Sequence, residues 1–417
     1  MQRLARYASG VKRRLISAAF VACALSACTA SSAPNEPLAS PTTITPWPSD
    51  AATTTQPAVT FTLVSAGDVL PHTSLFQAAK TADGYDFTPN MAASKPFVEG
   101  ADIALCSLEV PIAPEGTKPS GYPMFGAPKQ LIGDLKTLGW DGCTFATNHT
   151  ADRGWDGLKT TLDAFDAAGL GVTGVGRTND ERLAPRYYRV EKDGRSFTLA
   201  HVSGTYGLNG MPDPGKKQGF QAVNMLEDIA DAAKRAKDAG ADIVIASPHW
   251  GIEYQMKPND EQRAIGQQLA DTGVVDAIIG THPHVPQEVA ELAGKDGKKV
   301  PIVYSTGNFW SGQDEKCCTR ETATGLIAQL AITVDDDGAR VGAMKYTPVT
   351  MDLDARRHHF MLSSLVDGDR PKGVTLKPDR IKARWDALLK VMGDEHLEKN
   401  PPKGGAKVTL VDAPKKG

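Results

Sequence analysis

The residues of this chain that are best suited to chemistry stand at the ends of short apolar runs. Six runs of roughly strand length each stop at a carboxylate, imidazole or amide side chain. They cover residues 59–68, 102–109, 141–149, 242–249, 275–284 and 301–308. Ligands of an α/β sheet bind beyond the carboxyl ends of its strands. The six endings therefore predict one crevice lined with oxygen and imidazole ligands for metal ions.

Two histidines in a Gly/Pro turn form the most specific of these endings. His282 and His284 flank Pro283 two residues after Gly280, and such a tight turn can present both imidazoles to adjacent metals. His249 ends another run, and a neutral imidazole at a strand end is a good metal ligand. We interpret these three histidines as metal ligands rather than as structural residues.

Carboxylates end the first and second runs. Asp68 follows Gly67, whose backbone freedom allows the carboxylate to face the crevice, although a helix-capping role for Asp68 stays open. Glu109 could bridge two cations, or it could be a surface residue in a salt bridge. Both residues are candidate metal ligands.

An Asn-His pair ends the third run. The amide oxygen of Asn148 is a neutral metal ligand, whereas the adjacent His149 points elsewhere and can serve as a general acid. Asp152 is placed to orient His149 or to cap the helix that begins at Gly154. We therefore predict His149 and Asp152 as catalytic residues.

Four further residues are candidates for substrate contacts. Trp250 and Tyr254 could form the wall of a substrate groove, although packing in the core or at its rim is equally consistent with them. Glu253 stands between them in the sequence. Asn308 ends the last run and is interpreted as facing the substrate or supporting a ligand.

The segment that must position these residues covers 59–367 and alternates strands with helices. Helical patterns over 128–138, 154–168, 222–239 and 259–272 are each followed by a glycine that is typical of a helix end. This alternation predicts a largely parallel sheet with helices outside. Hairpin signals at 192–194 and 335–338 add antiparallel strands and predict a second sheet packed on the first.

The first 58 residues are predicted to lie outside the fold. Residues 1–27 carry a basic start and a short apolar stretch, and the sequence Leu-Ser-Ala-Cys at 25–28 resembles a bacterial lipobox with Cys28 as the lipidated residue. An ordinary cleaved signal peptide and an uncleaved anchor are the alternatives. Residues 28–58 are rich in Pro, Ser and Thr and predict an extended tether. These features place the protein at the extracytoplasmic face of the cell membrane.

The net charge bears on nucleic-acid binding, and the cysteine content bears on disulfide pairing. The formal net charge of −3 argues against nucleic-acid binding. Four cysteines remain after Cys23 and Cys28, with three possible connectivities. We expect Cys106 and Cys143 to lie close enough to be bridged. Cys317 and Cys318 could pair with each other or with a partner molecule.

The C-terminal residues 368–417 differ in composition from the preceding segment. Apolar spacing predicts a helix over 378–392. The residues from 398 onward are rich in Lys, Pro and Gly and predict a disordered basic tail.

The motifs GDV, SLE, TNHTADRG, PHWGIEY, GTHPHVPQ and YSTGNF occur in an order that resembles the poly-γ-glutamate capsule-biosynthesis (CapA-type) family. That family is similar to the calcineurin-like metallophosphoesterase superfamily, and the resemblance covers about residues 61–309. It implies a metallophosphoesterase-like α/β sandwich of two sheets flanked by helices. It also implies one or two divalent ions (Mn, Zn, Fe or Mg) and His149 as the general acid. The implied ligands are Asp68, Glu109, Asn148, His249, His282 and His284.

Two departures from the superfamily pattern concern the metals. Leu70 stands where the superfamily has a metal-binding His, and Glu109 stands where it has Asp. We therefore expect one metal position to bind more weakly than the other.

The resemblance implies a role in synthesis, export or processing of an anionic surface polymer such as poly-γ-glutamate, together with a membrane polymer-synthase complex. The site would act as a metal-dependent hydrolase on phosphoester or amide bonds. Two alternatives stay open: a generic surface metallophosphoesterase and a non-catalytic scaffold that binds polymer.

Overall fold

The computed structural model of the chain describes residues 56–354 and 357–414. The predicted signal peptide, Cys28 and residues 29–55 of the predicted tether lie outside the described residues.

The strands of the described part are β1 (Val59–Leu70), β2 (Lys80–Thr81), β3 (Gly84–Tyr85), β4 (Ile103–Leu108), β5 (Gly142–Thr144), β6 (Gly171–Thr173), β7 (Arg186–Lys192), β8 (Arg195–Thr205), β9 (Ile243–His249), β10 (Ala277–Ile279), β11 (Pro286–Ala293), β12 (Lys299–Thr306), β13 (Asn308–Ser311), β14 (Thr324–Asp335), β15 (Gly338–Asp352), β16 (His358–Met361) and β17 (Lys407–Val411). The helices are α1 (Thr73–Ala78), α2 (Thr88–Met91), α3 (Lys95–Glu99), α4 (Gln130–Thr137), α5 (Gly154–Ala168), α6 (Asn179–Leu183), α7 (Asp228–Ala239), α8 (Asp260–Asp271), α9 (Leu362–Val366) and α10 (Pro378–Met392). Short 3₁₀ turns cover Ala92–Ser94, Lys216–Gln218, Lys295–Gly297 and Arg320–Ala323.

Two large sheets form the centre of the fold. The first has the strand order β16-β15-β14-β1-β4-β5-β6, with β13 also pairing with β1, and the second has the order β11-β12-β10-β9-β8-β7-β17. Strands β1, β4, β5 and β6 run parallel in the first sheet, as do β8, β9, β10 and β12 in the second. β13 pairs parallel with β1, and the other strands of both sheets pair antiparallel, including the two predicted hairpins. The predicted two-sheet α/β sandwich is confirmed.

The six runs identified in the sequence divide equally between the two sheets. Strands β1, β4 and β5 belong to the first sheet, and β9, β10 and β12 belong to the second. A single open sheet therefore does not carry the site, because its residues converge only where the carboxyl ends of the two sheets meet. The third run is a strand only over Gly142–Thr144, and Asn148 and His149 follow in a turn.

Alternation of apolar residues along the strands produces three layers of core. Phe61, Leu105 and Leu199 belong to the layer between the sheets. The outer face of the first sheet packs against helices such as α5 through Phe165, and that of the second packs against α7 through Ile229. Each such buried side chain contributes about 1.5–3 kcal/mol to folding. The site therefore rests on two rigid sheets held from both sides.

The helix predictions agree with the structure in position and differ at some ends. Helix α5 has the predicted bounds, and Gly169 follows it in the left-handed conformation with φ of 63°. Helix α7 begins at Asp228 rather than at the predicted Ala222. The backbone N–H groups of Ala222 and Val223 instead donate to the carboxylate of Asp213, which holds this segment outside the helix.

The prediction of a disordered tail is wrong for residues 407–411. These residues form β17, which pairs antiparallel with β7 at the edge of the second sheet. Ala406 N–H also donates to Asp102 Oδ1 at 3.0 Å. The unpaired edge of β7 supplies hydrogen-bond partners that the local composition does not reveal. Helix α10 has the predicted bounds.

The cysteines pair within the described part of the chain. Cys106 and Cys143 face each other on β4 and β5 and form a disulfide with Cα atoms 4.3 Å apart, which confirms the predicted proximity. Cys317 and Cys318 form a disulfide with each other.

None of the described helices has the length and hydropathy that a membrane crossing requires.

Candidate metal centre

Asp68 reaches the site where the two sheets are joined. It lies on β1 opposite Asn308 of β13, the strand by which the chain returns to the first sheet after β12. Gly67 allows this approach, because a Cβ atom there would stand 1.9 Å from the carbonyl oxygen of Gly307. The Asp68 carboxylate is fully buried and accepts hydrogen bonds from the Ser107 hydroxyl at 3.1 Å and the His282 N–H at 3.2 Å.

The His-Pro-His turn is held in an unusual backbone conformation. The φ angles of His282 and His284 are 96° and 59°, a region that costs other residues than glycine about 1–3 kcal/mol each. The turn directs both rings into the site, with centroids 5.7 Å apart. Tyr254, also at positive φ, donates its N–H to the Pro283 carbonyl at 2.8 Å and helps to hold the turn.

His249 and Asn148 approach each other from different sheets. The distance from His249 Nε2 to Asn148 Oδ1 is 2.9 Å, and His249 Nδ1 is 2.9 Å from the Thr281 hydroxyl. Asn148 Nδ2 donates to Asn209 Oδ1 at 3.3 Å, so the amide oxygen of Asn148 is directed at His249. Two atoms about 2.1 Å from one ion lie about 3.0–3.5 Å apart, which is close to the separation seen here.

His284 lies between both buried carboxylates. Its Nδ1 is 3.4 Å from Asp68 Oδ2 and 3.1 Å from Asn308 Oδ1, and its Nε2 is 3.5 Å from Glu109 Oε1. Burial lowers the pKa of His284, but the charges of Glu109 and Asp68 outweigh it and raise the pKa to about 9. A positive charge is therefore favoured at this point between the two carboxylates.

The remaining imidazoles are favoured in the neutral form that binds metals. Burial, followed by the nearby His284 and His149, lowers the pKa of His282 well below its usual value. The pKa of His249 is lowered well below its usual value by burial and then by the charges of His282, His284 and His149. Neutral imidazoles next to carboxylates suit Mn, Zn or Fe.

Three buried ligand atoms at this site lack a hydrogen-bond partner within the described residues. They are both carboxylate oxygens of Glu109 and Nδ1 of His282. Burial raises the pKa of Glu109 well above its usual value, so no protein group compensates the carboxylate charge fully. One ligand atom each from Glu109, His282 and His284 lies within 4.8 Å of the others. Such unpaired buried groups cost about 1–3 kcal/mol each, and the donor set fits a divalent cation.

His149 stands beside this cluster and is paired with Asp152. His149 Nδ1 lies 2.8 Å from Asp152 Oδ2, and the same oxygen accepts the Phe125 N–H at 2.7 Å. The Phe125 ring packs edge-on against the His149 ring with centroids 4.8 Å apart. Of the two readings of Asp152 left open by the sequence, the contact supports the one in which it orients His149.

Glu253 and Tyr254 lie at the mouth of the site. Glu253 is exposed, and the Tyr254 ring lies 6.3 Å from the His284 ring.

Sequence reasoning missed Tyr206 and Asn209, which follow β8. The Tyr206 ring lies 4.5 Å from the His282 ring. Their position after another strand of the second sheet was the only available signal, since neither residue ends an apolar run.

Two candidate substrate contacts, Trp250 and Asn308, are buried, and the structure favours the alternative readings of core packing and ligand support. Trp250 is 1% exposed, donates its Nε1–H to the Tyr304 carbonyl at 2.9 Å and packs in the core beneath the second sheet. Asn308 is equally buried, and its Nδ2 donates to Gln313 and to the Thr322 carbonyl, which leaves Oδ1 facing His284. Asn308 positions a candidate ligand and does not face the substrate.

Sequence comparisons relate this chain to proteins of bacterial capsule synthesis. Residues 62–313 match the family model described as "Bacterial capsule synthesis protein PGA_cap". The chain is 27% identical over 313 residues to the "Capsule biosynthesis protein CapA" of Bacillus anthracis, covering 69% of this chain and 70% of that protein. It is 31% identical over 182 residues to the "PGA biosynthesis protein CapA" of Bacillus subtilis, covering 43% of this chain and 45% of that protein.

A solved structure with a similar arrangement is the calcineurin-like phosphoesterase YfkN from Bacillus subtilis. The two chains align with a TM-score of 0.43 at 16% identity, covering 80% of this chain and 98% of that one.

Proposed function

We propose that this chain, which belongs to the bacterial capsule synthesis protein (PGA_cap) family, is a metal-dependent hydrolase that acts on an anionic surface polymer such as poly-γ-glutamate. The reaction would serve synthesis, export or processing of that polymer. The observation that carries the proposal is the set of buried, unpaired atoms on Glu109 and His282 next to the His149–Asp152 pair. A scaffold that only bound polymer at its surface would gain nothing from these costly groups.

The residues divide into those that hold metal and those that move a proton. Asp68, Glu109, Asn148, His249, His282 and His284 would hold one or two divalent cations. When bound, the cations would polarise the scissile group and lower the pKa of a water molecule.

Proton transfer falls to His149. Asp152 Oδ2 accepts the His149 Nδ1–H and fixes the orientation of the ring. His149 Nε2 is then the atom that delivers a proton to the leaving atom. The tight packing of Phe125 against the ring excludes water from this side of the imidazole.

Location and partners form part of the same proposal. Cys28 would carry a lipid anchor at the extracytoplasmic face of the cell membrane, and the domain would work with a membrane polymer-synthase complex. The direction of β1 supports such a tethered domain. The chain enters β1 at Val59, which is nine residues or about 30 Å from Asp68, so the site lies at the far end of the strand. Cys28→Ser should release the protein or leave it unprocessed, and unchanged membrane fractionation with normal processing would contradict the anchor.

The hydrolase proposal is tested by activity of the full chain with Mn²⁺ or Zn²⁺. Oligo-γ-glutamate and an aryl phosphate are offered in parallel, and new amino groups or released phosphate are measured. His149→Ala should retain the metal and reduce turnover at least about 100-fold. His396→Ala, in the segment after α10, serves as the matched control and should have normal activity.

The possible results separate the competing functions. Cleavage of the aryl phosphate alone would favour a generic surface phosphoesterase. Saturable metal binding and polymer binding without cleavage of either compound would favour a non-catalytic scaffold. An active His149→Ala variant would remove His149 from the proposed proton transfer.

A further inference from the structure

The large hydrophobic side chains that the described residues leave exposed lie on loops at the end of the sheets that carries the metal centre. These side chains are Tyr122, Met124, Tyr206, Met211, Ile252 and Met256. They lie on three loops, which follow β4, β8 and β9 at the carboxyl ends of those strands. Exposed apolar side chains concentrated around one opening mark a binding surface.

Tyr206 and the half-buried Tyr254 lie against candidate metal ligands. The Tyr206 ring is tilted by 40° against the His282 ring with centroids 4.5 Å apart, and Tyr206 is still 42% exposed. The Tyr254 ring lies 6.3 Å from that of His284. A ligand bound beside these two histidines would therefore lie close to both rings.

A third tyrosine closes the rim on the side of the proposed acid. Tyr122 is 77% exposed, and its ring packs edge-on against Phe125, which in turn packs against His149. We refer to Tyr122, Tyr206 and Tyr254 as the tyrosine collar.

Glu253 is the charged group associated with the collar. It is exposed, and no lysine or arginine within the described residues forms an ion pair with it. Burial, followed by the charge of Glu253, raises the pKa of both Tyr206 and Tyr254 to about 12. The two phenols thus stay neutral at physiological pH, and the carboxylate has no protein cation to neutralise it.

We propose that the tyrosine collar and Glu253 form a subsite for a protonated amino group of the substrate. This inference rests on the polymer substrate proposed above, and it assigns the amino terminus of a poly-γ-glutamate chain to the metal centre. Aromatic faces attract an ammonium group, and a carboxylate supplies its counter-charge. Interior segments of the polymer carry only carboxylates, which Glu253 repels. The subsite therefore selects chain ends over chain interiors.

The test compares two ligands that differ only at the amino group. Binding of tri-γ-glutamate and of its N-acetylated form to the metal-loaded full chain is measured by titration calorimetry. We expect acetylation to weaken binding to the wild type about 5- to 30-fold, the range of one ammonium interaction with aromatic rings. Equal affinities for the two peptides, or binding of neither, would overturn the subsite without reference to any variant.

Substitutions then assign the effect to named residues. Glu253→Gln and Tyr206→Leu should each reduce the preference for the free amino group, whereas Tyr206→Phe should retain it because the ring is kept. Glu395→Gln, a similar change in the segment after α10, should leave the preference at its wild-type value. A preference that survives both Glu253→Gln and Tyr206→Leu would refute the assignment.

Binding and turnover are measured separately, so the two proposals fail separately. Selective binding without hydrolysis would uphold the subsite and reject the hydrolase. Hydrolysis of both peptides at equal rates with equal affinities would uphold the hydrolase and reject the subsite.

Discussion

Acidic residues stand at both ends of the strands in this molecule, and the two ends differ in what those residues contact. At the amino ends, an aspartate stands just before each of β4, β5, β9 and β10. The four are Asp102, Asp141, Asp242 and Asp276. Each carboxylate accepts a backbone N–H from the neighbouring strand, and the N–H of each aspartate donates to the carbonyl of that same neighbouring residue. At the carboxyl ends, both oxygens of Glu109 lack a hydrogen-bond partner within the described residues.

This contrast separates Glu109 from the amino-end aspartates by how completely the carboxylates are hydrogen-bonded. Asp102 also binds Lys192 at 2.8 Å, and Asp276 binds Lys298 at 2.6 Å. The amino-end aspartates thus close the ends of strand pairs and have no need of a ligand. Glu109 is fully buried and needs an external cation to offset the cost of its burial. Residue type alone does not distinguish the two groups.

Removing a ligand at the carboxyl ends should have the largest effect on metal binding. We expect His282→Ala to weaken divalent-metal affinity more than about 100-fold, because the ring is one of the three convergent donors. The stability of the metal-free protein should change less than for other buried side chains, since Nδ1 of His282 has no partner to lose. Titration calorimetry with Mn²⁺ and Zn²⁺ measures the affinity. Unchanged binding would defeat the metal centre.

Removing a carboxylate at the amino ends should lower the stability of the fold without a large loss of metal affinity. Asp102→Ala leaves the N–H groups of Thr62 and Ala406 and the ammonium of Lys192 without their shared partner. We expect unfolding free energy to fall by about 3 kcal/mol, as for other broken buried ion pairs. Urea unfolding provides the measurement. A large loss of metal affinity in this variant would contradict the proposed division of roles.

A positioning residue near the metal should have an intermediate effect. Asn209 accepts the Asn148 Nδ2–H and so orients the amide oxygen of Asn148. Asn209→Gly removes this acceptor and tolerates the φ of 52° at that position, so we expect metal affinity to fall about 10-fold without a loss of stability. Asn209→Asp keeps an acceptor and serves as the control. Equal affinities for the glycine and aspartate variants would show that Asn209 does not act through Asn148.

The smallest expected effect concerns Asp141, an amino-end aspartate, and the way in which the stability of the fold depends on pH. Burial raises the pKa of Asp141 to about 6, above the ordinary value of 3.8. The folded state therefore holds this proton more tightly, so its contribution to stability is complete below about pH 4 and is lost as the pH rises through 6. Asp141→Asn can still accept the Ala104 N–H but does not ionise. We expect similar stability at pH 4 and a gain of about 1–2 kcal/mol at pH 8.

That gain is measured by urea unfolding of the wild type and the variant at both pH values. A variant that is less stable at pH 8 than the wild type would show that the charge of Asp141 is stabilising. Asp134→Asn is a useful companion, because burial also raises the pKa of Asp134 to about 6.

Much of the fold was predictable because its determinants are local. The apolar spacing of α5 and α10 and the glycine after α5 predicted both helices with their bounds. The turns at Asp193 and Gly194 and at Gly338 predicted the two hairpins. The six strand endings also predicted the candidate ligands, since polar residues that interrupt apolar runs are visible in the sequence. The edge strand β17 was not predictable, because its partner β7 lies more than 200 residues earlier in the chain.

The sequence by itself determined the local elements and the chemical types of the candidate ligands. Only the tertiary structure decided that the strands divide between two sheets, that Trp250 and Asn308 are buried away from substrate, and that three distant loops form the tyrosine collar. It also decided which buried carboxylates are paired and which are not. The physical reason is that burial and hydrogen-bond pairing depend on neighbours brought together by packing, and those neighbours are remote in the sequence.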